Sequence, residues 1–337
     1  MSSKKSNNSR LLSRNVVFLN PRTCGVNKDG GRRYKVDPIT GRRSREVDNE
    51  LLAHVEQFVC GKTPDGMVVK DRGEVLRKGI LVPRYYDERW DAELGDFLRN
   101  NKLSSTTLGH LEDKHILFVR GGHGSPGNDQ RLGSVPYVKV SDIRALRVNV
   151  NPTNLIPDEL AERIWRGPRS GLQAWDLVTP NRASSNIGEF AVLLPGEERI
   201  VLTKEVFVFR LKKDDEVWDR FYLLWSLCLR CVRREWQRIT LMQTNREDVA
   251  ERYREIRVPL PPSPAWAKKV SAPFREYFTS MAEAKAKFTS AVKASGFEYI
   301  ANVYSAGEPS AVQETDEPAG AREGGACESL TTAPAQP

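Results

Sequence analysis

The chain has 337 residues, of which 39% are hydrophobic and 28% charged, and a net charge of +8. No run of eighteen apolar residues occurs, which argues against a membrane-spanning helix, and the polar, basic first fifteen residues do not read as a secretory leader. Residues 306–337 carry −5 and residues 1–305 therefore +13, a basic body suited to a polyanion such as nucleic acid. The five cysteines are scattered without an export signal, which points to free thiols in the cytoplasm.

Residues 1–15 are Ser-, Asn- and Lys-rich and are expected to form a disordered tail. Val16–Leu19 reads as a strand. Asn20–Arg45 is crowded with turn signals, including Asp29-Gly30-Gly31 and Asp37-Pro38, and carries eight bases. Val47, Leu51, Leu52, Val55 and Phe58 recur at helical spacing. After loop and short strand ending at Leu81–Tyr86, a second block opens near Asp91. His115–Arg120 and Val135–Val140 predict strands on either side of a Gly-rich connection, Gly121–Gly127, expected to be flexible. Ile200–Leu202 and Val206–Phe209 add β material. A helix capped by Asp214 or Asp215 should run to about Arg238, turning Trp218, Phe221, Leu224, Val232 and Trp236 toward a mixed sheet. Val258-Pro-Leu-Pro-Pro262 interrupts the chain. The helix beyond it reaches about Ser295, with Pro273 expected in its first turn. Phe274, Tyr277, Met281, Ala284, Phe288 and Ala291 give that helix a heptad seam. From Ala306 the Pro/Ala/Gly/Glu composition predicts a second disordered tail. The fold class is α+β: a mixed-sheet domain with packed helices, followed by a projecting coiled-coil-like helix. The expected divisions are 1–15, 16–90, 91–262, 263–300 and 301–337.

No catalytic pattern emerges. The chain lacks the Asn/Asp-Pro-Pro-aromatic loop of amino-group methylation, a Gly-rich nucleotide turn and a phosphate loop. Pro64-Asp65 and Pro157-Asp158 are fragments of a metal-nuclease pattern without the following acid-x-Lys. Neither His54, His110, His115 nor His123 pairs with another ligand at metal spacing. Cys228 and Cys231 lie in an apolar helical stretch with no second pair at zinc spacing, so both are expected as core side chains. Neither metal nor cofactor is expected.

Four stretches resemble known families. Val135-Pro-Tyr-Val-Lys-Val-Ser-Asp-Ile143 after Gly133, Trp175–Gly188 with its acid, aliphatic pair, Arg182 and Ile187-Gly188, and Gln243–Pro262 with its Val-Pro-Leu-Pro-Pro exit resemble, in this order, the target-recognition domains of type I restriction-modification specificity subunits. Val17–Tyr34 and Leu81–Asp87 resemble the region after the catalytic domain in some adenine-specific DNA methyltransferases. The resemblance implies a non-catalytic DNA specificity subunit that directs an adenine DNA methyltransferase in a bacterial defence system. The chain departs from the family pattern in having one recognition domain and one helix, so a bipartite site would require a second copy, paired through helix 274–291, or another chain. The rival readings are a diverged metal-dependent endonuclease and a scaffold that does not touch DNA.

Sequence readout needs Arg, Asn and Gln at base edges and Lys or Arg on phosphates. The candidate DNA-binding residues are Arg120, Lys139, Arg144, Arg147, Asn181, Arg182, Asn186, Lys204, Gln243 and Asn245. The expected partners are double-stranded DNA and the methyltransferase subunit, with no membrane.

Overall fold

A computed structural model describes residues 14–27, 30–127, 132–212, 217–241 and 248–296. The expected tail 301–337, residues 1–13 of the expected tail 1–15, and the expected cap at Asp214 or Asp215 fall outside these residues; Asn15, at the end of the first tail, already belongs to a strand. The N-terminal part comprises β1 (Asn15–Leu19), β2 (Tyr34–Val36), β3 (Arg43–Val47), α1 (Glu50–Val59), β4 (Met67–Asp71), α2 (Arg72–Lys78) and α3 (Pro83–Tyr86). It continues through α4 (Arg89–Asn100), β5 (Ser104–Thr107), α5 (Leu108–Asp113) and β6 (Leu117–Gly121). The central part holds β7 (Val135–Val138), β8 (Ile143–Arg144), β9 (Arg147–Val148), β10 (Leu155–Ile156), α6 (Asp158–Trp165), β11 (Leu177–Pro180), β12 (Ala191–Val192), β13 (Val201–Leu202) and β14 (Val206–Leu211). Helices α7 (Arg220–Cys228) and α8 (Arg230–Ile239), strand β15 (Arg257–Leu260) and the long α9 (Pro264–Ser295) complete the chain as described. The class is α+β, as the sequence implies.

Alternation along the strands builds the layers. β11, β12, β14 and β6 form an antiparallel sheet ordered β12-β11-β14-β6. β10, β7 and β13 form a second sheet in which β7 runs antiparallel to β10 and parallel to β13. Successive side chains of a strand point to opposite faces. Val206 and Val208 therefore enter a core shared with Val138, Ile143 and Leu202 of the second sheet and its hairpin. Phe207 and Phe209 enter the other core, against Phe190, Trp236 and Tyr253. The second sheet alternates likewise: Val135, Tyr137 and Val201 face Leu160 and Ala161 of α6. The stack is thus α6, three-stranded sheet, four-stranded sheet, then α7 and α8.

The helix expected to end near Arg238 is two helices. Its start is capped by Asp219, whose carboxylate accepts the Phe221 and Tyr222 N–H groups at 2.7 and 3.0 Å and pairs with Arg275 of α9 at 2.8 Å. At Leu229 the backbone becomes extended (φ −61, ψ 133). The break lets α7 lie along α9 while α8 lies along α4, where one straight helix would serve one neighbour. Both cysteines of the Cys-x-x-Cys pair sit in this packing. Burial pushes the Cys228 thiol up to about 12 and raises that of Cys231, so both stay protonated and inert.

Pro273 lies inside α9, not in its first turn. Ser263 supplies the start instead: its Oγ accepts the Trp266 N–H at 3.2 Å, with Pro264 following in the first helical position. Pro273 is exposed, so the carbonyl left without its donor faces solvent. Ala267, Ser271 and Phe278 are buried, whereas Tyr277 and Phe288 are 51% and 59% exposed. The first half of the helix is docked; the second half is mostly exposed, held at Met281 and by Lys285, which pairs with Glu197 at 2.8 Å.

The N-terminal part shares the main core with the rest. Phe18 stacks on Tyr86 at 4.3 Å, and both join the cluster that contains Leu94, Leu108, Trp236 and Phe278. The Tyr85 hydroxyl donates to Glu255 at 2.6 Å. Helix α1 is different. Leu51, Leu52, Val55 and Val59 are exposed and His54 is its buried residue, so the helical periodicity is real but its apolar face looks outward.

Candidate nucleic-acid interface

Four of the candidate cations, Lys139, Arg144, Arg147 and Lys204, are exposed at the outer rim of the three-stranded sheet and its hairpin. After β7 the chain passes Lys139, makes one turn of 3-10 helix at Val140–Asp142, and enters the β8–β9 hairpin. Ile143 and Val148 face inward and pack in the core between the sheets. Arg144 and Arg147, directly opposite each other, face outward and are exposed. Lys139 and Arg144 line a polar cleft of about 380 Å³ with Ser125, Ser141, Ser184 and Thr203. Lys204 is exposed and lies between Thr203 and Glu205, both of which also line the cleft. Among the described residues, Lys139, Arg144, Arg147 and Lys204 make no ion pair.

The hairpin is strained and braced. Its two connecting residues, Ala145 and Leu146, both have positive φ, 51° and 64°. That is the two-residue geometry that normally selects Asn-Gly or Gly-Gly; for residues with a Cβ it costs about 1–2 kcal/mol each. Asn149 holds the hairpin from one side, its Nδ2 donating to the carbonyls of Asp142, Arg144 and Arg147 at 3.2–3.4 Å. Asn186 holds it from beneath, its Nδ2 donating to Val140 and Ile143 at 2.7 and 3.0 Å. The Leu146 carbonyl accepts the Val192 N–H at 3.1 Å, tying the turn to β12.

The remaining candidates among the described residues are bonded within the fold. Asn186 is the brace just described and is 8% exposed. Asn181 is equally buried; its Nδ2 donates to the Lys204 carbonyl at 3.1 Å, which shapes the turn that presents the lysine. Arg182 is held between Glu205, at short range, and Asp248 at 3.6 Å. Arg120 is half-buried and donates to the Ser170 carbonyl at 3.3 Å. Gln243 and Asn245 lie outside the described residues. Of the ten candidates, the fold gathers four at one rim and places four within its own bonding.

The Gly121–Gly127 connection is not loose. A Cβ on Gly122 would stand 2.0 Å from the Thr203 carbonyl oxygen, so only glycine permits this approach to the β13 end. His123 then pins the connection. Its Nδ1 accepts the Leu202 N–H at 2.9 Å and its Nε2 reaches the Ser170 carbonyl at 2.8 Å. With Nδ1 accepting, Nε2 carries the proton and donates it. Burial, with Arg120 nearby, lowers the imidazole pKa to about 4.

No protein-family model matches the chain, and no curated protein matches it. Solved structures with partial likeness include the HsdS subunit from Thermoanaerobacter tengcongensis, 15% identical over 60% of this chain and 41% of that one, with a TM-score of 0.33. The type I restriction-modification S subunit from M. genitalium is 12% identical over 62% of this chain and 49% of that one, TM-score 0.33. The type IIG restriction endonuclease BpuSI is 11% identical over 67% of this chain and 33% of that one, TM-score 0.40. The chain spans less than half the length of each of them.

The stretches that suggested a family have clear local roles. Gly133 is required because a Cβ there would meet the Ile156 carbonyl at 2.1 Å. Asp176 is 1% exposed and accepts two bonds from Arg210 at 2.7 and 2.6 Å, closing the turn before β11. Gly188 has φ +75° and lies under Trp236, whose ring atoms would stand about 3.0 Å from any Cβ. Sequence reasoning missed the cleft hydroxyls of Ser125, Ser141 and Ser184, and the brace Asn149. The Asn149 signal was weak: an Asn after a pair of short β segments, with no Gly at the turn. Among the described residues, no three His, Cys, Asp or Glu side chains gather as a metal site requires, and no helix is long and apolar enough to cross a membrane.

Proposed function

We propose that the chain is the DNA sequence-specificity component of a bacterial restriction-modification or related defence system. It directs an adenine DNA methyltransferase, and an endonuclease where one is present, to the target site. The observation that carries this reading is the rim of Lys139, Arg144, Arg147 and Lys204, left without acidic partners while Arg120, Arg182 and Arg210 are bonded within the fold. Lys139 and Arg144 in a hydroxyl-lined cleft, Lys204 beside it and Arg147 across the hairpin from Arg144 favour a polyanion with polar groups at its surface, and duplex DNA offers phosphates and base edges together. The three motif stretches resembling target-recognition domains point the same way. In this role the chain supplies no bond-breaking residue: lysines anchor the backbone and arginines reach the bases. The methyltransferase comes from a partner subunit, and the exposed face of the second half of α9, which includes Phe288, offers a surface for that subunit or for a second copy.

The deciding experiment is co-expression with an adenine DNA methyltransferase subunit from the same genome, followed by mapping of methylated adenines. Sequence-specific methylation that disappears without this chain is the expected outcome. Unchanged methylation in a stable complex would reject the specificity role.

A further inference from the structure

We infer that the β8–β9 hairpin is a major-groove reader in which Arg144 and Arg147 recognise two guanines. This rests on the DNA-binding reading above and assigns the part of the site that carries sequence information. The hairpin has one buried and one outward face, and the outward face consists of two arginines directly opposite each other. Like charges opposite each other in an antiparallel pair repel, and the turn beside them has two left-handed residues, neither of them Gly, Asn or Asp. Asn149 and Asn186 nonetheless lock this unfavourable arrangement from both sides. A phosphate anchor gains little from such rigidity, because an exposed lysine on a flexible stem serves as well. A base reader gains much, because the guanidinium fork must meet the O6 and N7 acceptors of guanine in one plane.

The dimensions agree. A two-stranded ribbon fits the major groove. Opposite residues in an antiparallel pair stand about 5.5 Å apart at Cα, and successive bases on a strand rise about 3.4 Å. Two arginines so placed span one or two base steps. Lys139 and Lys204, by the cleft behind the hairpin, are then placed for the flanking phosphates.

The test is selection by the full-length protein from a pool of duplexes with a randomised central segment, followed by affinity measurements on the enriched sequence. Wild type should enrich two guanines within two steps of each other. Replacing either with 7-deazaguanine, which removes the N7 acceptor, should weaken binding roughly tenfold or more. R144K and R147K keep the charge but lose the fork, and each should relax the preference at one guanine and become insensitive to the deaza substitution there. K204Q should instead weaken binding to all sequences alike. If the lysine variants retain the wild-type preference, or 7-deazaguanine has no effect on wild type, the hairpin assignment is wrong while the DNA-binding role stands. If wild type retains no duplex from the pool, both fail together.

Discussion

The imidazole of His123 has both nitrogens committed, one accepting from Leu202 and one donating to Ser170. Burial, with the Arg120 guanidinium nearby, holds the pKa near 4 against an ordinary 6.5. A histidine whose folded pKa is depressed adds stability that is complete above pH 6.5 and disappears as pH falls toward 4. The contribution is on the order of 3 kcal/mol. The stability difference between wild type and H123Q should therefore shrink between pH 6.5 and 4.5 in denaturant titrations; a constant difference would mean that the ring is not held neutral. Arg182 and Lys204 make a second contrast between similar charges. R182Q frees Glu205 and Asp248 from their partner and should cost about 1 kcal/mol of stability. K204Q should leave the melting temperature unchanged and lower DNA affinity.

At the scale of elements, the β8–β9 hairpin and α9 offer the clearest tests. Gly at position 145 removes the Cβ that clashes in the left-handed region, so A145G should stabilise the fold by about 1 kcal/mol. A loss of stability on thermal unfolding would show that the turn does not hold its positive φ. Along α9, F278A should cost about 3–5 kcal/mol because the ring is 1% exposed. F288A should change the stability of the isolated chain by no more than about 0.5 kcal/mol and weaken assembly with a partner. Equal costs at the two positions would mean that the whole helix is docked. The heptad seam thus has two environments along one helix, and periodicity alone cannot tell them apart. Only the neighbours distinguish them: α7 for the first half, and for the second mostly solvent, with Met281 against the core and Lys285 on Glu197.

For the whole molecule, DNA binding should weaken with salt in proportion to the phosphates neutralised, a slope of about −0.9 per contact on logarithmic axes. Replacing Lys139 and Lys204 together by Gln should reduce the slope by about 2, measured by fluorescence anisotropy between 50 and 200 mM salt. An unchanged slope would place the phosphate anchors elsewhere. Much of the architecture was legible in the sequence: the strands around Val135 and Val206, the apolar positions of α7 and α8, and the Pro-rich exit into α9. The site was only half legible. Lys139, Arg144, Arg147 and Lys204 were identifiable as bases, but whether a base is free depends on acids distant in sequence. Arg182 meets Glu205 and Asp248 only after the chain has folded back twice. The hairpin was hidden because Ala145-Leu146 lacks turn chemistry, and the Leu229 break was hidden because nothing in its own residues interrupts a helix.

β14 has a consequence for how the molecule fails. Its valines belong to the interior behind the cation rim and its phenylalanines to the interior beneath the helices, so a single strand is the party wall of both rooms. Neither room can lose that wall and keep its shape. Heat, or a damaged Phe209, should therefore abolish target discrimination and helix docking in one step, and no intermediate that still reads DNA but has released its C-terminal arm should accumulate.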